Sequence, residues 1–354
     1  MSTSIQMDIL TAHGPCNLNR DDLGRNKTVR MGGTQRSRVS SQSRKRAIRC
    51  SDGFQNAMGG HIGVRTKKIG SKVFEQLVEG GIPEKDARDW ARDVAGKFGK
   101  LPKVEKEDSL PGLDIKELAY IGVTEQAAID ELVERLIAEQ RKPERDELDL
   151  LRHETESVDI ALHGRMLAGD PGFNISAACQ VSHSYTVHES RPEIDYFAAN
   201  DDLNDGSEHS GAAHLGEKSF GTGVYYFHVN INRDLLIENL GGDVELANRA
   251  MRAFIEGVLT VQPTGMQNSF ASRAHASYAL VRRGSNNQYV IGDAVFTKAI
   301  DKKSDDYMAT AILAIEAYRG NHDGVYDIYS DDSYTMNVTT GTGRLSELLT
   351  FVSE

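Results

Sequence analysis

Apolar side chains recur at every second position in two stretches that lie far apart in the chain, and this pattern constrains the fold most strongly. Residues 5–11 and residues 224–231 both follow it. Because successive side chains of a β-strand point to opposite faces, both stretches predict strands with one buried face. We expect the sequence His13-Gly14-Pro15 to end the first of these strands.

The region between these strands has helical periodicity instead. Apolar residues recur at spacings of three and four in residues 83–98 and 124–140. Thr124 is placed to cap the second of these predicted helices. This charged stretch, residues 58–150, therefore predicts a helical insertion between two parts of another domain.

Further elements predict an α+β fold. Residues 157–165 and 274–281 predict strands, and a helix is expected to start at Gly241-Gly242-Asp243 and to stop before Pro263. A last helix is predicted to begin at Asp305 or Asp306. The resulting order of strands and helices is typical of a split βαβ, or ferredoxin-like, sheet with helices on one face.

Positive charge is concentrated in the N-terminal part of the chain. The whole chain carries −11, yet residues 1–72 contain fourteen Lys and Arg and only four Asp and Glu. Ten of these cations fall within residues 20–49, partly on a polar loop predicted for residues 16–38. One basic surface on an acidic protein is typical of a nucleic-acid site. The alternative is a solvated basic face with no partner.

The segment after this loop combines a helix start with cations. Ser40 and Ser41 are N-cap candidates, and Ser41, Lys45 and Arg49 lie on one helix face because they are spaced by four. A helix N-terminus offers unpaired N–H groups and a favourable dipole to a phosphate, and the Gln42 amide adds donors. The segment predicts a phosphate-binding helix start, or otherwise an ordinary capped helix with a basic exterior.

Residues 17–27 allow three interpretations. Arg20 and Lys27 could bind phosphate. Asp21 and Asp22 could instead bind a divalent metal or activate a nucleophile, or they could simply neutralise nearby arginines. Two adjacent carboxylates make a poor site for a hard cation, which takes about six oxygen ligands.

Met166 has two interpretations as well, because it follows Gly164-Arg165 after a predicted strand. A methionine in that position is usually part of the core, but it could also pack against the base of a single-stranded nucleic acid.

Other chemistry finds little support in the sequence. The three cysteines form no CxxC pair, and we interpret them as reduced thiols in the core. The histidines form no ligand set, so we expect neither a metal nor another cofactor. No apolar stretch could cross a membrane and the N-terminus lacks a secretory signal, so we expect a cytoplasmic protein with no membrane partner.

A series of motifs occurs in order along nearly the whole chain. The first motif is Ala12-His13-Gly14-Pro15-Cys16-Asn17-Leu18-Asn19-Arg20-Asp21-Asp22, followed by Gly32-Gly33 and by Arg38-Val39-Ser40-Ser41-Gln42-Ser43. The later motifs are residues 158–166, 194–197, 213–216, 229–232 and 238–242. Together these motifs resemble one known family, the CasC/Cse-family backbone subunit of the type I-E CRISPR surveillance complex, Cascade, in the RAMP superfamily. Three positions differ from the family pattern: Met266 and Asn268 stand where basic residues are common after Pro263, and Tyr196 stands where Trp is common.

The resemblance implies a fold and a division of the chain. It implies an RRM-like (ferredoxin-like) palm with a helical finger insertion and a long thumb loop. The palm corresponds to residues 1–57, 151–198 and 224–354, the finger to residues 58–150 and the thumb to residues 199–223, with His214 and Leu215 in it.

The resemblance also implies a function without catalysis. Several copies of the protein would coat the spacer of a CRISPR RNA (crRNA) in a helical filament and present it for pairing with target DNA, together with other Cascade subunits. The RNA-binding residues implied are Arg20, Lys27, Arg38, Ser40, Gln42, Lys45, Arg46, Arg49 and Met166. We further interpret four finger cations as contacts to target DNA, although cations also favour a helix C-terminus through its dipole: Arg135, Arg141, Lys142 and Arg145.

Two other functions remain open at this point. Related backbone proteins of other CRISPR types cut bound RNA with a loop aspartate, so a metal-dependent endoribonuclease using Asp21 or Asp22 is the alternative. A scaffold whose basic face meets an acidic protein is the third.

Overall fold

The computed structural model describes residues 3–103, 110–167, 169–199, 202, 214–285, 291–328 and 332–353. The chain forms two compact units. The first unit consists of Met1–Phe54, Gln180–Ile231 and Met251–Glu354, and the second of Gln55–Cys179 and Asn232–Ala250. The insertion predicted for residues 58–150 lies within the second unit, which also contains residues 151–179.

Strands and helices are interspersed along the chain. The strands are β1 Thr3–Cys16, β2 Thr28–Met31, β3 Thr34–Val39, β4 Val64–Thr66, β5 Ala119–Ile121, β6 Cys179–Val181, β7 Ser184–Thr186, β8 Glu193–Ala199, β9 His214–Asn232, β10 Tyr278–Ser285 and β11 Ser333–Asn337. The helices are α1 Ser41–Arg49, α2 Asp52–Ala57, α3 Ile69–Glu79, α4 Glu84–Phe98, α5 Val123–Glu139, α6 Val158–His163, α7 Arg233–Asn239, α8 Val244–Thr260, α9 Gln267–Phe270, α10 Tyr307–Val325 and α11 Leu345–Ser353.

The first unit is built on one sheet with the strand order β11-β10-β1-β9-β7-β3-β2, and β6 and β8 also pair with β9. β1 runs antiparallel to β10 from Thr3 opposite Ser285 to Leu10 opposite Tyr278. The two strands predicted most strongly are neighbours at the centre of this sheet, although they are far apart in sequence. The predicted combination of a sheet with helices is therefore confirmed, and the sheet is largely antiparallel.

Helices cover this sheet on both faces, so the predicted coverage of one face is wrong. Leu10 and Tyr226 share an apolar cluster with Ile312 and Ile315 of α10. The next side chain along β9, Phe227, points to the other face and packs against α1, where the Arg44 guanidinium carbon lies 3.9 Å from its ring centroid. The polar face of β1 is consequently buried as well.

The loop predicted for residues 16–38 is mostly a β-hairpin. β1 continues to Cys16 past its predicted end, and β2 pairs antiparallel with β3. Gly32 and Gly33 form the two-residue turn, with φ of 59° and 80°. Two residues with positive φ match the right-handed twist of the strands, and a Gly-Gly pair between two short strands is a sequence signal for this turn.

Three further expectations need correction. Residues 157–165 contain the helix α6 rather than a strand, because a short run buried on all sides has no period that separates the two. The strand predicted for residues 274–281 begins only at Tyr278. α5 starts at Val123 and its N-cap is Gly122, so Thr124 does not cap it.

The thumb loop predicted for residues 199–223 is partly a strand, because β9 begins at His214. β8 and the first part of β9 form an antiparallel ribbon, from Glu193 opposite Phe220 to Ala199 opposite His214. We call these two segments the β8–β9 ribbon. The rest of the predicted loop, residues 200–201 and 203–213, lies outside the described residues.

The second unit has its own helical core. The predicted helices at residues 83–98 and 124–140 are confirmed as α4 and α5, and both contribute buried side chains to a cluster that also includes α3. β4 and β5 form a separate two-stranded sheet. Across the described ranges, no helix is both long and apolar enough to span a bilayer.

We expect two helix glycines of the first unit to respond oppositely to alanine. A Cβ on Gly257 of α8 would lie 2.6 Å from Cγ2 of the buried Ile48, so Gly257→Ala should destabilise the protein by about 1–3 kcal/mol. A Cβ on Gly320 of α10 would have no atom within 4 Å, so Gly320→Ala should stabilise the protein by about 0.5–1 kcal/mol. Urea unfolding measures both, and equal midpoints would contradict this packing.

β1 also carries two buried groups with opposite pH dependence. Burial raises the pKa of Asp8 to about 6, while burial, reinforced by the charge of Arg44, lowers the pKa of His13 to about 4. His13 takes up its proton more readily when the chain is unfolded, so its contribution to stability is lost as pH falls from about 6.5 to about 4. Asp8 is protonated first in the folded state, so its contribution increases as pH falls through about 6.

His13→Asn should therefore gain stability relative to wild type as the pH is lowered from 7 to 5, and Asp8→Asn should lose it. The difference in unfolding free energy between each variant and wild type, measured at both pH values, isolates the one group that was removed. Differences that do not change with pH would show that neither group is perturbed by folding.

Candidate nucleic-acid interface

The start of α1 is held by the loop that precedes β2. Ser40 is the N-cap, and its hydroxyl accepts a hydrogen bond from the Ser43 N–H at 3.3 Å. The Ser40 N–H donates to Asn19 Oδ1 at 2.9 Å, and the Ser41 N–H donates to His183 Nδ1 at 3.0 Å. The predicted cap at Ser40 is confirmed. Two of the N–H groups available for phosphate in the sequence interpretation already have protein partners.

Two predicted cations lie beside this helix start. The Lys27 N–H donates to the Asn19 carbonyl at 2.9 Å, and the Arg38 N–H donates to the Lys27 carbonyl at 2.8 Å. The pKa of His183 is lowered by partial burial and by the positive charges of Arg38 and Lys27, although Asp293 opposes them. We call this group the α1 cradle: Asn19, Lys27, Arg38, His183 and the first turn of α1. His183 was missed, since nothing in the sequence connects it to Ser41.

The cations within α1 divide between solvent and core. Arg46 is exposed, and Lys45 and Arg49 are half-buried. Arg44 is only 2% exposed and donates to Ser184 Oγ at 3.0 Å and to Gln262 Oε1 at 3.3 Å. Burial lowers the pKa of Arg44 to about 9. Adjacent cations therefore have different roles, because the helix points Arg44 inward together with Ile48 and points the neighbouring side chains outward.

Arg20 and the two aspartates lie on the loop before β2. Asp21 Oδ1 accepts the N–H groups of Leu23 and Arg25 at 2.9 and 2.8 Å, so this carboxylate shapes the turn. Asp22 and Arg20 are exposed. In the part of the chain that the structure describes, no three His, Cys, Asp or Glu side chains are grouped so as to hold a metal ion.

Met166, in the second unit, is 79% exposed, so its interpretation as a core residue is wrong. It stands between Arg165 and Leu167, which are both buried. An exposed methionine held between two buried neighbours can offer a polarisable apolar surface to a base.

The β8–β9 ribbon presents a second apolar surface. Leu215 is 75% exposed and lies opposite Ala198, and Tyr196 on the same face is 74% exposed. Ile194, two residues before Tyr196, continues this face and is exposed too. His214 is exposed at the start of β9. His214 and Leu215 were expected in the thumb, whereas Ile194 was not recognised as a surface residue because isoleucine favours the core.

The four finger cations divide into two pairs. Arg135 and Arg141 both form ion pairs with Glu147, at 3.2 and 2.8 Å, and Arg141 also pairs with Glu139. Hydrogen bonds from Arg141 lower the pKa of Glu147 to about 2, and the same contacts raise the pKa of Arg141. Lys142 and Arg145 are exposed beyond the end of α5.

The cysteines and the positions that depart from the family pattern can also be compared with the sequence expectations. Cys16 and Cys179 are buried as expected, but Cys50 is exposed. Met266 has a φ of 50° and precedes the four-residue helix α9, which contains Asn268.

Alanine substitutions at two adjacent cations should separate core from surface. Arg44→Ala removes buried packing and leaves Ser184 and Gln262 without this donor, so it should lower the free energy of unfolding by about 2 kcal/mol or more. Lys45→Ala should change it by less than about 0.5 kcal/mol, as is usual for a surface position. Denaturant unfolding of the two variants makes the comparison. Equal losses would contradict the inward orientation of Arg44.

Comparisons with known proteins place the chain in a family. Two solved structures share its fold over 99% of both chains. One, titled "CRISPR RNA-guided surveillance complex, pre-nicking", has a TM-score of 0.81 and 29% sequence identity. The other, "CRISPR RNA-guided surveillance complex", has a TM-score of 0.70 and 24% identity, so that likeness concerns the fold alone. Among curated proteins, none matches the chain significantly.

The family model of the CT1975-like proteins matches residues 5–349. Together with the structural matches, this confirms the resemblance to subunits of CRISPR surveillance complexes that the motifs indicated. The chain belongs to the CT1975-like protein family.

Proposed function

We propose that this protein is a crRNA-binding backbone subunit of an RNA-guided CRISPR surveillance complex of type I-E. The observation that carries the proposal is the α1 cradle, where Lys27 and Arg38 lie beside a helix N-terminus. Five of the predicted RNA-binding cations form no ion pair within the described part of the chain: Arg20, Lys27, Arg38, Lys45 and Arg46. The 29% identical structural match over the full chain supports the same role.

Contacts of this kind hold the phosphate backbone and do not read the bases. Cations, hydroxyls and a helix N-terminus bind phosphate oxygens, which are the same in every nucleotide. The protein would therefore coat the guide without sequence preference and leave base pairing to select the target DNA. Successive copies along the spacer, joined by other Cascade subunits, would form the filament, with an RRM-like palm, a finger and a thumb in each copy.

Two exposed apolar surfaces suit contacts to bases. Met166 in the second unit and the Tyr196–Leu215 face of the ribbon would each pack against nucleobases, since every base has an apolar face. Of the four cations predicted to meet target DNA, Arg135 and Arg141 are paired with Glu147, so Lys142 and Arg145 are the two that can reach phosphates without first breaking that ion pair.

In the proposed role, the protein does not cleave RNA. The Asp21 carboxylate is engaged by two backbone N–H groups, which supports a role in shaping the loop. Incubating the protein with guide RNA, a labelled target RNA and Mg²⁺ should produce no new fragments. Cleavage that is lost in Asp21→Asn or Asp22→Asn would establish the endoribonuclease alternative instead.

Binding to RNA should depend steeply on salt. Each phosphate neutralised on a single strand contributes about −0.7 to the slope of log K against log salt concentration. Changing Lys27, Lys45 or Arg46 singly to Ala should therefore reduce the steepness by about 0.7. Lys303→Ala, which removes an exposed lysine far along the chain from the cradle, is the control and should leave the slope unchanged.

Titrations of guide RNA at four salt concentrations measure these slopes. Slopes for Lys27→Ala, Lys45→Ala and Arg46→Ala that match the control would contradict the α1 cradle as the binding site. A shallow slope for wild type would contradict RNA binding through phosphates altogether.

A further inference from the structure

The turn that carries Met166 is fixed on both sides by hydrogen bonds. Arg165 and Ile175 exchange two backbone hydrogen bonds, both of 2.9 Å, and the Leu167 N–H donates to Asn174 Oδ1 at 2.7 Å. Gly164, just before the turn, has a φ of 77°, and a Cβ there would lie 2.9 Å from the Ile175 carbonyl oxygen. The backbone on each side of Met166 therefore has little freedom, whereas its side chain is in solvent.

The guanidinium of Arg165 is engaged entirely within the protein. Nη1 donates to both carboxylate oxygens of Glu125 at 2.7 Å, and both side chains are 1% exposed. Nη2 donates to the carbonyls of Arg152 and Phe173 at 2.8 and 3.0 Å, and Nε donates to Phe173 at 3.3 Å. With all three nitrogens occupied, Arg165 cannot also bind a phosphate.

The carboxylate of Glu125 is equally engaged. Oε2 accepts the Gly122 N–H at 2.9 Å, and Oε1 accepts the Arg152 N–H at 3.0 Å. One ion pair therefore connects the start of α5, the chain at Arg152 and the turn of Met166.

Stability alone is a weak reason to bury such a pair. Removing two charges from water is costly, and apolar residues of similar volume are often as stabilising. The ion pair fixes the orientation of the two side chains, which apolar side chains cannot do. The reason is that a planar guanidinium donates its hydrogen bonds only in fixed directions.

We propose that Glu125 and Arg165 are positioning residues that hold Met166 against a base of the bound RNA. This rests on the proposed RNA-binding function. Arg165 acts through Met166 and does not itself touch the RNA, although the sequence presents it as one more cation beside a predicted contact.

The test uses the RNA-bound complex with a guide that carries the fluorescent base 2-aminopurine at successive positions. Its emission rises when the base is unstacked from its neighbours. A base that packs against Met166 is kept out of that stack, so Met166→Ala should lower the emission at the position that Met166 contacts. Glu125→Gln removes the charge at constant shape and should reproduce at least half of that loss although Met166 is present. Combining it with Met166→Ala should add nothing further.

Asn174→Ala is a second variant that tests the same turn if the Glu125→Gln protein misfolds. Asn174 is exposed, so this variant should fold, and it loosens the same turn from its other side. It should also lower the emission at that position. None of these variants should change the salt slope, because none removes a phosphate contact, and Lys45→Ala should change the slope without changing the emission.

Three results would overturn the proposal. Emission in Glu125→Gln and Asn174→Ala equal to wild type, with only the unfolding midpoint lowered, would leave the pair a purely structural role. A steeper salt slope in Glu125→Gln, in which the Arg165 guanidinium is no longer paired with a carboxylate, would make Arg165 a phosphate ligand. Unchanged emission in Met166→Ala, with steep salt dependence retained, would remove Met166 from the RNA. Absence of salt-dependent RNA binding by wild type would instead refute the proposed function itself.

Discussion

Burial of β1 on both faces is the constraint around which the first unit is arranged. β1 lies between β9 and β10 near the middle of the sheet, with α10 on one face and helices including α1 on the other. One of its buried polar residues has a partner inside the protein, since the Tyr226 hydroxyl donates to Asp8 Oδ1 at 2.6 Å. Because both faces are covered, the basic surface that remains for a ligand lies at the loops and helix ends beside the sheet.

Arginines take two separate roles in this protein. Arg36 and Arg44 in the first unit and Arg165 in the second are buried, and their guanidinium groups donate to carbonyls or side chains of distant segments. Arg20 and Arg46 are exposed. The rigid fork of the guanidinium explains the first role, since one side chain can tie several backbone carbonyls together. The division means that charge counted along the sequence overstates the charge available to a nucleic acid.

The sequence was most informative where one physical signal dominated. The alternation in residues 5–11 and 224–231 predicted the two central strands, and the spacing of apolar residues predicted α4 and α5. It was less informative where two structures share a pattern. The buried run at residues 158–163 has no period that distinguishes a helix from a strand, and the hairpin at residues 28–39 was hidden by its polar composition although Gly32-Gly33 marked the turn.

By itself, the sequence determined the class of fold, the helices α4 and α5, the cap at Ser40 and the family, because each depends on residues that are close in the chain or on a fixed order of motifs. Only the tertiary structure decided which cations face solvent, that His183 meets the start of α1, and that Met166 stands exposed above a buried ion pair. Those outcomes depend on contacts such as Ser41 with His183 and Glu125 with Arg165, between residues far apart in the chain. No local periodicity encodes such a contact, since it exists only after the sheet and the helices have packed.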